Sequence, residues 1–69
     1  MTPGQRFRHE NSIDRRLVST WQLVAVTKRY LRFAVEGQLD PFTGRPLQRC
    51  LTPRQAEKAL ADGRLQVLA

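Results

Sequence analysis

The sequence predicts a small α+β domain with a central helix, a β-hairpin after it and a helix near the C-terminus. Three observations point there. Asn11 to Glu36 contains neither glycine nor proline, and a stretch that long exceeds an ordinary strand. Asp40-Pro41-Phe42-Thr43-Gly44 carries a tight-turn signal between two short apolar runs. Thr52-Pro53-Arg54-Gln55 has the pattern of a capped helix start.

Residues 1–10 read as a flexible basic arm, and residues 11–69 as a single small domain. Pro3 and Gly4 break structure, and the arm is polar apart from Phe7. Arg6, Arg8 and His9 are placed to contact phosphate, although a frayed terminus without a role is the commoner fate of such a segment. In the central helix Asn11 or Ser12 serves as cap, and Asp14 lies in the first turn, where negative charge suits the helix dipole. Ile13, Leu17, Trp21, Val24, Leu31 and Val35 recur at helical spacings, interrupted by Lys28. Lys28, Arg29 and Arg32 fall toward the far end, and Gly37 follows as a stop. Composition pulls the other way between Leu17 and Thr27. Val18, Thr20, Trp21, Val24, Val26 and Thr27 are β-favouring types, and Trp21, Leu23 and Ala25 alternate. A strand there, followed by a helix capped by Thr27, is the alternative.

Gln38 to Leu51 reads as a hairpin. Pro41 presets the turn, Gly44 accepts a positive φ, and Pro46 restricts its strand to an edge or a late start. In the helix that follows, Thr52 is the cap, Pro53 the first residue, Gln55 the reciprocal partner and Gly63 the stop, with Ala56, Ala59 and Leu60 facing inward. Leu65, Val67 and Leu68 suffice for a short closing strand or a packed tail.

A chain of 69 residues makes one domain, and at that size only roughly 60% of the unfolded surface is buried. Cys50 is the only cysteine, so no internal disulfide forms, and with His9 as the only histidine a zinc site lacks ligands. The lone thiol reads as a small buried residue in a reducing cytoplasm. No signal peptide or long apolar run is visible, which gives a cytoplasmic reading without a membrane partner. The carboxylates are scattered, and Glu57 and Asp62 read as ordinary solvated partners of Lys58 and Arg64. No nucleophile–base pair, phosphate-cradling loop or cofactor motif is present, so the expectation is a binding protein rather than an enzyme, with no cofactor.

Twelve basic residues oppose six acidic ones, a net charge of +6, and ten of the twelve are arginine. Arginine's planar fork matches phosphate, although a GC-rich genome supplies arginine codons regardless. Lys28, Arg29 and Arg32 lie close to Arg45 and Arg49 through the short Gly37-Gln38-Leu39 link. Thr27, Lys28, Arg29, Arg32, Gln38, Arg45 and Arg49 are therefore the candidate nucleic-acid-binding residues, with duplex DNA as the leading partner. Their outward charge also fits a solvated helix face and a protected hairpin edge.

The passage Thr27 to Pro41, followed by Gly44-Arg45-Pro46-Leu47-Gln48-Arg49 and a helix opening at Thr52, resembles the recognition-helix-to-wing segment of MerR-type regulators and phage excisionases. The resemblance covers about residues 27–60. It implies a winged-helix-like, helix-turn-helix domain that binds DNA in transcription regulation or in a phage or mobile-element setting, with Lys28, Arg29 and Arg32 toward the groove and Arg45 and Arg49 on the wing. The stretch before Thr27 is short for the first helix and turn of that motif, and Leu51 stands where the wing usually carries an aromatic. The DNA reading also implies a homodimer, since one small domain offers little contact area. The alternative is a small inhibitor or adaptor that docks on an acidic surface of a host protein. Single-stranded RNA is the third reading, and Tyr30, Phe33 and Phe42 are too few and irregular for the usual stacking platform.

Overall fold

The computed structural model describes residues 1–11 and 13–68. It contains five strands and one helix in the order β1 Arg6–Glu10, β2 Val18–Val26, β3 Leu31–Leu39, β4 Pro46–Leu51, α1 Pro53–Ala61 and β5 Leu65–Val67. The strands form one antiparallel sheet in the order β4-β3-β2-β1-β5. The first four strands run as a meander. The chain then passes through α1, and β5 returns beside β1.

This corrects the expected winged helix. The stretch that was to hold the central and recognition helix is instead β2, a turn and β3, so no helix-turn-helix forms. Burial explains the outcome. Of the six residues on the helical stripe, Ile13, Leu17 and Val24 are exposed, while Leu23 and Phe33, which lie off it, are completely buried. Alternation of period two puts Trp21, Leu23, Leu31, Phe33 and Val35 on one face of a paired ribbon, and the β-branched residues around them suit that backbone. The expected helix start serves a loop instead. Asn11 Oδ1 accepts the amides of Ile13 and Asp14, and Asp14 Oδ1 accepts that of Arg16. Side chains that cap helices also organise turns, through the same short-range hydrogen bonds. Ser12, the other cap candidate, lies outside the described residues.

Thr27 likewise caps a turn rather than a helix. Its Oγ1 accepts the amide of Tyr30 at 3.0 Å and donates to the Tyr30 carbonyl at 2.9 Å, closing the β2–β3 hairpin around Lys28 and Arg29. Residues 6–10, read as part of a flexible arm, form a central strand between β2 and β5, with Phe7 fully buried. Arg-Phe-Arg-His-Glu is itself an alternating run.

The β3–β4 hairpin and α1 follow local sequence rules. Asp40 Oδ1 accepts the Phe42 amide, the Asp40 carbonyl accepts that of Gly44, and Gly44 takes φ +70°. Pro46 opens β4, an edge strand where its missing donor costs no ladder bond. Thr52 Oγ1 accepts the Gln55 amide at 3.1 Å, and Gln55 Oε1 accepts the Thr52 amide at 3.0 Å. Gly63 follows the helix at φ +77°.

The helix packs against β4 and β5, the two edges of the sheet. These are also the strands that precede and follow it in the chain. Two irregularities interrupt the ladders. Val24 bulges from β2 where Leu23 pairs with Phe33 and Ala25 with Arg32, and the β3–β4 ladder slips between Ala34 and Leu39. Inside lie Phe7, Trp21, Leu23, Leu31, Phe33, Val35, Ala56, Ala59 and Leu65, with Leu47 and Leu51 packed against them. The alanines let α1 sit close to the sheet. Replacing Thr52 by alanine removes one arm of the capping box and is expected to cost about 1 kcal/mol. In a chain of this size that lowers the melting temperature by roughly 4–8 °C, measurable by calorimetry.

Candidate functional site

Ion pairs are unevenly distributed, and Arg15 and Lys58 are unpaired among the described residues. The pairs Arg6–Glu36, Arg8–Glu10, Arg16–Asp14 and Arg64–Asp62 all involve β1, the β1–β2 loop or the approach to β5. Arg6 and Arg8, expected as phosphate contacts, are thereby neutralised. The Glu36 hydrogen bond, reinforced by its charge, raises the Arg6 pKa further. Lys28, Arg29, Arg32, Arg45, Arg49 and Arg54 have no carboxylate partner among the described residues. All six belong to the β2–β3 turn, the β3–β4 hairpin or the start of α1. Residues 15–35 and 41–56 contain no Asp or Glu, so on the β3–β4 hairpin only Glu36, paired with Arg6, and Asp40, in the turn, carry negative charge.

Register places the expected site residues along one edge of the sheet but not on one face. Thr27, Lys28 and Arg29 occupy the tip of the β2–β3 hairpin. Leu31 pairs with Leu51, which puts the start of α1 and Arg54 at that same end. Arg32 lies opposite Cys50 on the outer face, and Arg49 lies opposite Phe33 on the core side. Arg45 and Gln38 are at the other end, around the β3–β4 turn. Cys50, expected as a buried thiol, is exposed on this edge. Arg32 is held by Tyr30, whose hydroxyl accepts from the guanidinium at 3.3 Å and whose ring centroid lies 5.8 Å from it. That hydrogen bond is the main cause of the raised Arg32 pKa. The positive end of the α1 dipole adds to the potential at this end.

Arg49 and Gln38 also line a cleft of about 430 Å³ that opens on the core side between the β1–β2 loop and β3–β4. Its aromatic wall is a stacked pair, His9 on Trp21, with ring centroids 3.9 Å apart and planes 14° from parallel. Trp21 rests in turn on Phe33, and its indole donates to Ser19 Oγ at 3.0 Å. The His9 pKa is lowered, first by burial and then by the charge of Arg64, with Glu10 opposing. The neutral ring is the form that packs.

That shift has a consequence for stability. Because the folded state holds His9 below its ordinary value of about 6.5, the unfolded chain binds the extra proton first. His9's contribution is present above about pH 6.5 and is lost as pH falls through the folded pKa. The melting temperature is expected to drop between pH 8 and pH 5.5, and His9→Phe to flatten that dependence.

The sequence reading missed His9 and Trp21 as a pair. His9 was placed in the arm and Trp21 on a helix stripe or in the core. The available signal was the alternation in residues 6–10, which puts Phe7 and His9 on the same side of a strand. Among the described residues no three His, Cys, Asp or Glu side chains come together as a metal site, and no described helix is long and apolar enough to cross a membrane. Compared with known proteins, the chain matches no family model, no curated protein and no solved structure.

Proposed function

We infer that the protein binds nucleic acid, with duplex DNA as the leading ligand, through the cationic β4 edge and the neighbouring β2–β3 tip. One observation supports this reading: of the eight basic side chains without a carboxylate partner among the described residues, six, Lys28, Arg29, Arg32, Arg45, Arg49 and Arg54, lie on the β2–β3 turn, the β3–β4 hairpin or the start of α1, the other two being Arg15 and Lys58. Five of the six are arginines, whose forked donors suit phosphate oxygens. The contacts are predominantly to the backbone, so affinity depends on salt more than on sequence.

A mobility-shift titration at several salt concentrations tests the reading. Arg32 and Arg49 face opposite sides of the edge and Arg45 lies at its far end, so not all six reach one duplex together. With about four phosphates engaged, log K falls against log salt with a slope of about −3.6, a loss of roughly a hundredfold between 50 and 200 mM. No binding to duplex at low salt would remove it. A protein partner is the second reading, favoured by Ile13 and Phe42, each 95% exposed, with Leu17 and Leu39 nearby at the same end of the sheet. A stoichiometric protein captured from nuclease-treated lysate, together with no duplex binding, would favour that reading instead.

A further inference from the structure

The β4 edge offers a strand places for its phosphates, and Phe42, 95% exposed, is an aromatic at its β3–β4 turn. The cleft beside it adds a more enclosed place for a base. Half-buried His9, stacked on Trp21, gives it one aromatic side chain, while Trp21 itself is 6% exposed and lies between His9 and Phe33. Arg49 and Gln38 reach it with side chains that make no hydrogen bond among the described residues. Ser19 Oγ accepts from the Trp21 indole, which leaves its own hydroxyl proton free to donate into the cleft. Among the described residues no carboxylate lines the cleft, and Asp14 pairs with Arg16, one of its lining residues. Its volume of about 430 Å³ falls within the range of small-molecule sites, roughly 300–1,000 Å³.

The geometry points to one unpaired nucleotide of a single strand as the occupant of this cleft, its base against His9, which backs onto the buried Trp21, and its phosphate at Arg49. Gln38 and Ser19 supply donors for the base edge. The assignment rests on the nucleic-acid reading of the β4 edge and adds to its duplex contacts a separate site for an unpaired base. A paired base has its faces covered by its neighbours and reaches no such ring without being extruded. Stacking on an aromatic side chain tolerates any base, because every base has a π-face. An acidic peptide would satisfy Arg49 but leave the His9 ring without a planar partner.

Trp21 is the only tryptophan and stacks on His9, so its emission reports on that ring. The protein is titrated separately with an eight-residue thymidine single strand, a blunt duplex of random sequence and a mononucleotide at millimolar concentration. The single strand is expected to quench Trp21 emission, and the duplex to bind with little quenching. The double substitution Gln38→Ala with Arg49→Ala, at exposed positions, is expected to weaken single-strand binding about tenfold with an unchanged circular dichroism spectrum. Single-strand binding that leaves the emission unchanged, or quenching of undiminished affinity in the double variant, overturns the cleft assignment while leaving the β4-edge reading intact. If neither strand nor duplex binds, the edge reading fails, and absence of quenching by the mononucleotide overturns the cleft as well.

Discussion

Replacing Arg32 and Arg49 together by alanine is expected to lower duplex affinity roughly fiftyfold at about 0.1 M salt and to reduce the salt slope by nearly two units. The two residues flank the β4 edge, Arg32 opposite Cys50 on the outer face and Arg49 opposite Phe33 on the core side. Neither has a carboxylate partner among the described residues, so their removal leaves no internal charge exposed and the fold should be unaffected. The matching control is Arg6→Ala with Arg8→Ala. Those guanidiniums are already engaged by Glu36 and Glu10, and their loss should move the slope far less. Equal slopes for wild type and the Arg32/Arg49 variant would place the phosphate contacts elsewhere. The measurement is a salt titration by mobility shift or fluorescence anisotropy, with circular dichroism as the check on folding.

Phe33→Ala is expected to remove about half of the chain's stability or more at 25 °C. Phe33 is completely buried, meets Phe7 edge-on at 5.7 Å and underlies Trp21 at 5.3 Å. Truncating a buried phenylalanine costs about 3–5 kcal/mol, whereas a chain of 69 residues has a total stability of roughly 3–10 kcal/mol. The cavity would open beneath the residue that joins β1 to β2, so strand pairing and the His9–Trp21 stack should weaken together. Phe42→Ala supplies the contrast, since Phe42 is 95% exposed and its loss should stay within about 0.5 kcal/mol. Urea denaturation followed by Trp21 emission measures both. A Phe33→Ala protein as stable as wild type would exclude this core.

Much of the candidate interface was legible before the fold was. Lys28, Arg29, Arg32, Arg45 and Arg49 stand out in the chain as cations close to a hairpin, and that hairpin forms as its Asp40-Pro41 and Gly44 signals require. Their arrangement was not legible. A recognition helix would have presented Lys28, Arg29 and Arg32 from successive turns of one face. A hairpin tip and strand instead put Lys28 and Arg29 at one end, with Arg32 and Arg49 on opposite sides of an edge. Arg54 joins them only because Leu31 pairs with Leu51, which brings the start of α1 to the β2–β3 turn.

What the amino-acid sequence determined by itself is the set of devices whose partners lie within a few residues: the Thr52–Gln55 capping box, the Asp40–Gly44 turn and the Gly63 stop. The acid-free stretches 15–35 and 41–56 are equally a property of the chain alone. Tertiary structure decided whether residues 18–39 become helix or strand, and it turned residues 6–10 into the middle of a sheet. The physical reason is range. A cap or turn is satisfied by hydrogen bonds within four residues, so its stability can be read locally. A strand is stabilised by partners far along the chain, and competing apolar periodicities are ranked only by the surface that each buries once those partners are in place.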